Sequence, residues 1–303
     1  MPAWPPLPYE AWSPTLDTLH SHAQVLGKLA VVLAPPEPEL QHAALRLTAR
    51  GWETLPLPAP DGSGAFGVVL DLHAHEVVVE HDDGRVRGIP LTPNRSVAAV
   101  THDVLAAVRD LVGAVEINMA PQETQWTTPL DEDEEHTTYD PQQVATYFAA
   151  ATRAALVLAE LRAPYRGRST PVNAWWGSFD LAVSFFSGAP AEPPSDDFIF
   201  RNSMDAQEIA VGWWPGYWRY ERAAFYGYAH PAAQGFADAK LDGGRWDSEL
   251  GLYLLDWDDV VSSPDPHRTA LDFVRALVRH ACMSCDWDPA LAASVEGEPP
   301  PVS

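Results

Sequence analysis

The chain has 303 residues, 46% of them hydrophobic, enough to bury the core of one large domain or of two fused halves. With 42 acidic residues against 19 basic ones the formal charge is -23, a field that repels nucleic acid and removes the counterion release on which such binding depends. No apolar run is expected to reach the roughly 18 to 20 residues of a membrane helix, the N-terminus carries prolines where a signal peptide needs a basic flank, and two cysteines give no disulfide framework, so a cytoplasmic protein without nucleic-acid or membrane partners is expected.

Residues 16–32 begin with helical spacing at Leu16, Leu19, Ala23 and Leu26 and pass through Gly27 into an apolar stretch, 29–33, that reads as a strand. Residues 45–49 and 52–57 read as further strands. Residues 68–72 and 76–80 form a hairpin, and Asp82-Asp83-Gly84 turns the chain into 85–91. Val97, Val100, Val104, Val108 and Leu111 recur at helical spacing up to Gly113, a natural stop, and 115–119 is expected as the last strand of this half.

Residues 121–140 contain five successive carboxylates, Asp131 to Glu135, and read as an exposed linker between an N-terminal half, 1–120, and a C-terminal half, 141–288. The second half opens on the clearest helix signal in the chain, with Asp140 as cap, Pro141 in the first turn and Gln143 completing a capping pattern. The apolar and aromatic run 175–186 is expected as its central strand, followed by strands over 208–213, 225–228 and 250–255 and a helix from Asp265-Pro266. Residues 289–303 are expected to be a disordered tail. The fold class is therefore α+β: two similar halves, each an antiparallel meander flanked by helices, consistent with an internal duplication that would place a cavity where the halves meet.

Several residues are candidates for chemistry. His20 and His22 fall two apart on a helix, about 200° around it, and should not share a metal; His20 can face a cavity while His22 is expected on the surface. Asp71, His73 and His75 would share one strand face, which makes a metal hydrolase an alternative, against the simpler expectation of a solvated hairpin tip. Cys282 and Cys285 lie on the apolar stripe of the last helix and read as core. Asp180, a carboxylate in an apolar run, needs a partner, for which an arginine is the simplest expectation. Glu208 would face the same cavity as Asn173 and Trp175.

The segments 171–183, Gln207-Glu208, 212–216 (Gly-Trp-Trp-Pro-Gly) and 224–229 (Ala-Phe-Tyr-Gly-Tyr-Ala), with Leu19-His20, Gly27-Lys28 and 47–51, resemble a bacterial family known only as a domain of unknown function. The resemblance runs over nearly the whole chain and carries no activity. It implies histidines at the positions of His20 and His42, and histidines where this chain has Asn173 and Gln207, so that with Glu208 the family pattern looks like a His/Glu metal or acid–base centre that this chain has altered to amides at two positions.

Together these readings point to a protein that binds a small polar ligand in an aromatic-lined pocket between the halves, built from His20, His42, Asn173, Trp175, Asp180, Gln207, Glu208 and Trp214, with no metal and no named cofactor. An enzyme of this kind would use His20 and Glu208 as its proton-transfer pair, with Asn173 and Gln207 orienting the ligand. A non-enzymatic interaction or self-associating protein is the alternative, since tryptophan and tyrosine also favour interfaces.

Overall fold

Helix α1 (Tyr9–Leu33) continues without a break through the 29–33 stretch expected as a strand. Leu26, Leu29 and Ala30 extend the buried stripe of Leu16, Leu19 and Ala23, and that burial outweighs the β preference of Val31 and Val32. Both His20 and His22 are buried on this helix, so His22 is not the surface residue its polarity implied. The computed structural model describes residues 4–295 and residue 297.

A kinked 3-10 helix, Pro38–Ala43, leads into the first sheet. Its strands are β1 (Arg46–Leu47), β2 (Gly51–Glu53), β3 (Leu57–Pro58), β4 (Ala65–Asp71), β5 (Glu76–His81) and β6 (Val86–Pro90), in the order β1-β2-β4-β5-β6 with β3 also on β4, all antiparallel. Helix α2 (Val97–Val112) starts at Ser96, whose hydroxyl accepts the Ala99 N–H, and stops at Gly113, where φ is 99°. Residues 115–119 make no strand.

The acidic run is not uniformly exposed. Asp133 is completely buried: its carboxylate accepts the N–H groups of Glu135 and His136 and the Nδ1–H of His136, and its carbonyl accepts the Ala98 N–H in the first turn of α2. A carboxylate saturated with donors at a helix N-terminus is at home there.

Helix α3 (Pro141–Arg162) is capped as its sequence indicates, Asp140 accepting the N–H groups of Gln142 and Gln143, a contribution of about 1 kcal/mol. By length and composition α3 is apolar enough to cross a membrane, contrary to the expectation that no run would be, because its charges lie in its C-terminal half. Half of it is buried, against α6 (Pro266–Ser284) and the second sheet.

That sheet contains β7 (Asn173–Trp175), β8 (Asp180–Pro190), β9 (Ala206–Trp214), β10 (Ala224–His230), β11 (Arg245–Asp247) and β12 (Leu252–Asp256), in the order β11-β12-β10-β9-β8-β7 and again antiparallel throughout. Short helices α4 (Phe198–Ser203), α5 (Trp257–Ser262) and α7 (Pro289–Ser294) complete the fold, so the first six residues of the expected disordered tail are helical, while residues 296 and 298–303 lie outside the described residues. The α+β architecture of two six-stranded antiparallel sheets flanked by helices agrees with the expectation; similar strand orders alone establish no duplication.

The sheets meet edge to edge where Leu45, just before β1, pairs with Ala174 of β7 through N–H···O bonds of 3.0 and 2.9 Å. The expected central strand over 175–186 is interrupted at this junction by a turn, 176–179. Phe179 takes a positive φ of 53°, unusual for an aromatic residue, and its ring is held between Trp52 of β2 at 4.6 Å and Tyr147 of α3 at 5.4 Å. From Asp180 onward β8 alternates strictly. Leu181, Val183 and Phe185, with Ile209, Val211 and Trp213 of β9 and Phe225 of β10, face α3 and α6 and are almost fully buried. The opposite face carries Asp180, Ala182 and Ser184, then Glu208, Ala210, Gly212 and Trp214, then Tyr226 and Tyr228.

Candidate functional site

Small residues on that second face leave space above it. Ala182, Ala210 and Gly212 sit side by side at the centre of β8 and β9, and over them lies a cavity of about 520 Å³, within the range of small-molecule sites. Its walls come from distant parts of the chain: the C-terminal turn of α1 with Lys28, the 3-10 helix with Glu39 and Gln41, residues 118–123, the 175–178 turn, and α4. Phe198 and Phe200 of α4 lie at its mouth about half exposed.

Two carboxylates are built into the floor. Asp180 accepts hydrogen bonds from the Ser178 and Tyr226 hydroxyls, and no ion pair of the described residues includes it, so the expected arginine partner is replaced by two hydroxyls. Burial raises its pKa from 3.8 to about 6, with both hydroxyls opposing the shift. Glu208 is also buried, and burial lifts its pKa from 4.5 to about 7, helped by the nearby Glu39 charge and opposed by the Ser184 and Tyr228 hydroxyls and the Arg168 guanidinium. Glu39 is held by both terminal nitrogens of Arg168, at 2.7 and 2.8 Å. The phenols of Tyr226 and Tyr228 are pushed far above 10 by burial and the neighbouring carboxylates, which keeps both as hydrogen-bond donors.

The geometry around Tyr226 depends on a glycine. A Cβ at Gly212 would lie 2.5 Å from the Tyr226 phenol and 2.5 Å from the Leu181 carbonyl, so only glycine lets Tyr226 lie across β9 and reach Asp180 on β8. Trp214 stacks on Tyr226 at 4.7 Å and fixes its own indole by donating to the Arg222 carbonyl.

The upper wall is positioned by one polar stripe of α1. His20, Gln24 and Lys28 recur every four residues and each holds a loop. His20 Nε2 stands 2.9 Å from both the Trp176 and Gly177 carbonyl oxygens, which requires its proton to be there and donated to them. Gln24 pairs through both its amide atoms with the backbone of Gln122, and the Lys28 ammonium donates to the Ala120 carbonyl at 2.8 Å while lying over the Trp176 ring. At Gly27, between them, a Cβ would fall 1.9 Å from the Trp176 indole, so the helix accepts this ring only because the position is glycine. The indole N–H is bonded to the Ala43 carbonyl.

Of the residues singled out from the sequence, Trp175, Asp180, Glu208 and Trp214 line the cavity. His20 does not. It faces a separate hollow of about 20 Å³ with Asp17, Trp126 and Tyr217, and burial lowers its pKa from 6.5 to about 4 despite the two carbonyl bonds. His20 and Glu208 are thus not a proton-transfer pair. Asn173 is completely buried one layer back, donating to the Gln41 side chain and accepting from Arg46, so it orients Gln41, which does line the cavity. Gln207 points to the other side of β9, where it accepts from Ser187, and His42 Nδ1 accepts the Glu37 N–H. These positions do not assemble a His/Glu centre.

The hairpin histidines diverge as well. Asp71 accepts the turn N–H groups of His73 and Ala74 and pairs with Arg50, His73 is exposed, and His75 Nδ1 meets the Tyr139 hydroxyl at 2.9 Å. No group of three or more His, Cys, Asp or Glu side chains among the described residues could hold a metal ion. Cys282 is buried in α6, whereas Cys285 lies beyond its end, half-buried against the Pro231 carbonyl.

Residues 4–294 match a family of unknown function, DUF5996. The chain belongs to the DUF5996 family. No curated protein matches it, and no solved structure does. Within this DUF5996 chain, Tyr226 and Tyr228 belong to an aromatic segment readable as cavity floor, yet they were not among the site residues singled out from the sequence. Their signal was the spacing of two on β10 across Gly227, which puts both phenols on the face that carries Ala210 and Gly212.

Proposed function

We propose that this chain binds a small polar ligand in the cavity above β8, β9 and β10. One observation carries the reading: two buried carboxylates, Asp180 and Glu208, stand in a hollow floored by small residues, neither of them in an ion pair among the described residues, with Asp180 bonded by the hydroxyls of Ser178 and Tyr226. Structural carboxylates in a core are ordinarily paired with a cation, and buried ones facing open space mark functional sites. Trp175, Trp176 and Trp214 line a concave wall, which favours a ligand pocket over a flat association surface. If the site does chemistry, Glu208, raised to about 7, is the group placed to exchange a proton near neutral pH.

The test is native mass spectrometry of protein purified without affinity metal, alongside Ala210→Trp, which fills the floor of the cavity. An organic mass carried by the wild type and lost in a folded Ala210→Trp variant supports the reading. A wild type whose retained mass survives in that variant sinks it.

A further inference from the structure

The charged side chains lining the cavity are Glu39, Glu123, Asp180 and Glu208 against a single base, Lys28. Lys28 is committed to the Ala120 carbonyl and the Trp176 face, and Glu39 to Arg168. Asp180 and Glu123 have no ion-pair partner among the described residues, with Glu123 close enough for burial and the Asp180 charge to raise its pKa to about 7. Glu208 feels only the more distant Arg168, which is bound to Glu39. The walls between them are aromatic, and the π faces of tryptophan and tyrosine attract ammonium groups.

The two floor carboxylates are not together. Phe186 opposes Glu208 and Leu181 opposes Trp213, so Asp180 lies six positions from Glu208 along the strands, about 20 Å at 3.3 Å per residue. Tyr226 and Tyr228 share one face of β10 between them, Tyr226 donating to Asp180 and Tyr228 standing nearest the Glu208 charge. The pairing puts one tyrosine–carboxylate couple toward each end of an aromatic floor. An ammonium bonded at one couple leaves the other couple for a second charged group.

We infer that the ligand is an extended aliphatic di- or polyamine, one ammonium at Asp180–Tyr226, another at Glu208–Tyr228, and its methylene chain over the aromatic floor. This rests on the cavity being a binding site and names the chemistry it would take. Ala182 and Ala210 give the methylene chain room, and the chain's charge of -23 favours the approach of a polycation.

The test is isothermal calorimetry of the full chain with spermidine, octylamine and octanediol, repeated with Asp180→Asn and Glu208→Gln, near-isosteric variants whose folding is checked by thermal melting. Spermidine is expected to bind one to one, at least tenfold tighter than octylamine, with no measurable binding of octanediol. Each substitution should weaken spermidine at least tenfold and leave octylamine held by the remaining couple. No spermidine binding, equal binding of octylamine, tight binding of octanediol, or spermidine binding indifferent to both folded variants would each overturn the assignment. If spermidine fails while an organic mass is still lost in Ala210→Trp, the polyamine falls and the binding cavity stands. If neither is seen, both fall. Should both substitutions unfold the protein, Tyr226→Phe and Tyr228→Phe replace them, and spermidine affinity unchanged in both counts against the inference.

Discussion

The Tyr226 phenol reaches Asp180 only by lying across Gly212, whose absent side chain is the space it occupies. A methyl group there meets the phenol on one side and the Leu181 carbonyl on the other, and the carbonyl cannot move without disturbing the β8–β9 ladder. Gly212→Ala is therefore expected to destabilise the fold by about 1 to 3 kcal/mol, the range for overpacking. Urea denaturation measures it, and Tyr226→Phe should cost less in the Gly212→Ala background than alone, because the hydrogen bond is already displaced.

Asp180 makes stability depend on pH with a definite sign. Its folded pKa of about 6 lies above the ordinary 3.8, so between these values the folded chain holds the proton more tightly than the unfolded chain. Stability from this group is full below about pH 4 and falls as pH rises to 6, by roughly 3 kcal/mol at 1.36 kcal/mol per unit. Asp180→Asn cannot lose a proton. The stability difference, variant minus wild type, should climb from pH 4 to 6 and then level; a flat difference in denaturation experiments across that range contradicts the prediction.

His22 acts in the opposite direction. Burial and the Arg95 charge push its pKa from 6.5 to about 3, and its Nδ1 has no hydrogen-bond partner. The unfolded chain takes up the proton first, so the contribution of neutral His22 is present above pH 6.5 and is lost on acidification, roughly 3 kcal/mol of it by pH 4. His22→Leu should move the acid-unfolding midpoint to lower pH, followed by circular dichroism.

At Gly27 the neighbour of an added methyl group is the Trp176 ring itself. Gly27→Ala gains helix propensity worth about 1 kcal/mol but must expel an indole bonded to the Ala43 carbonyl. A net loss of stability is expected, together with a changed tryptophan emission spectrum. A variant more stable than wild type with unchanged emission would show that the ring yields freely.

The parts of the fold legible in the sequence are those fixed by local chemistry. Asp140-Pro141, Asp265-Pro266 and Gly113 mark helix ends because capping and left-handed φ are properties of a few adjacent residues. Residues 29–33 misled because burial in α1, set by contacts far along the chain, overrode their β preference. The turn at 176–179 was hidden because its aromatic residues are buried like strand residues, though the alternation of small Ala182 and Ser184 with large Leu181, Val183 and Phe185 did carry the two-faced character of β8. Asp180, Glu208, Trp175 and Trp214 were recognisable as unusual positions. The true partners of His20 were not, since they are backbone carbonyls, which no residue type announces.

The turn that wedges Phe179 between Trp52 and Tyr147 also delivers Ser178 and Asp180 to the cavity floor, one residue to either side. The aromatic stack between the sheets and the hydroxyl–carboxylate contact on the cavity floor are thus two ends of one short lever. Any loosening of the Trp52 contact is transmitted to Asp180 within a single peptide unit, so the first sheet, which contributes no strand to the floor, still sets the alignment of its most buried acid.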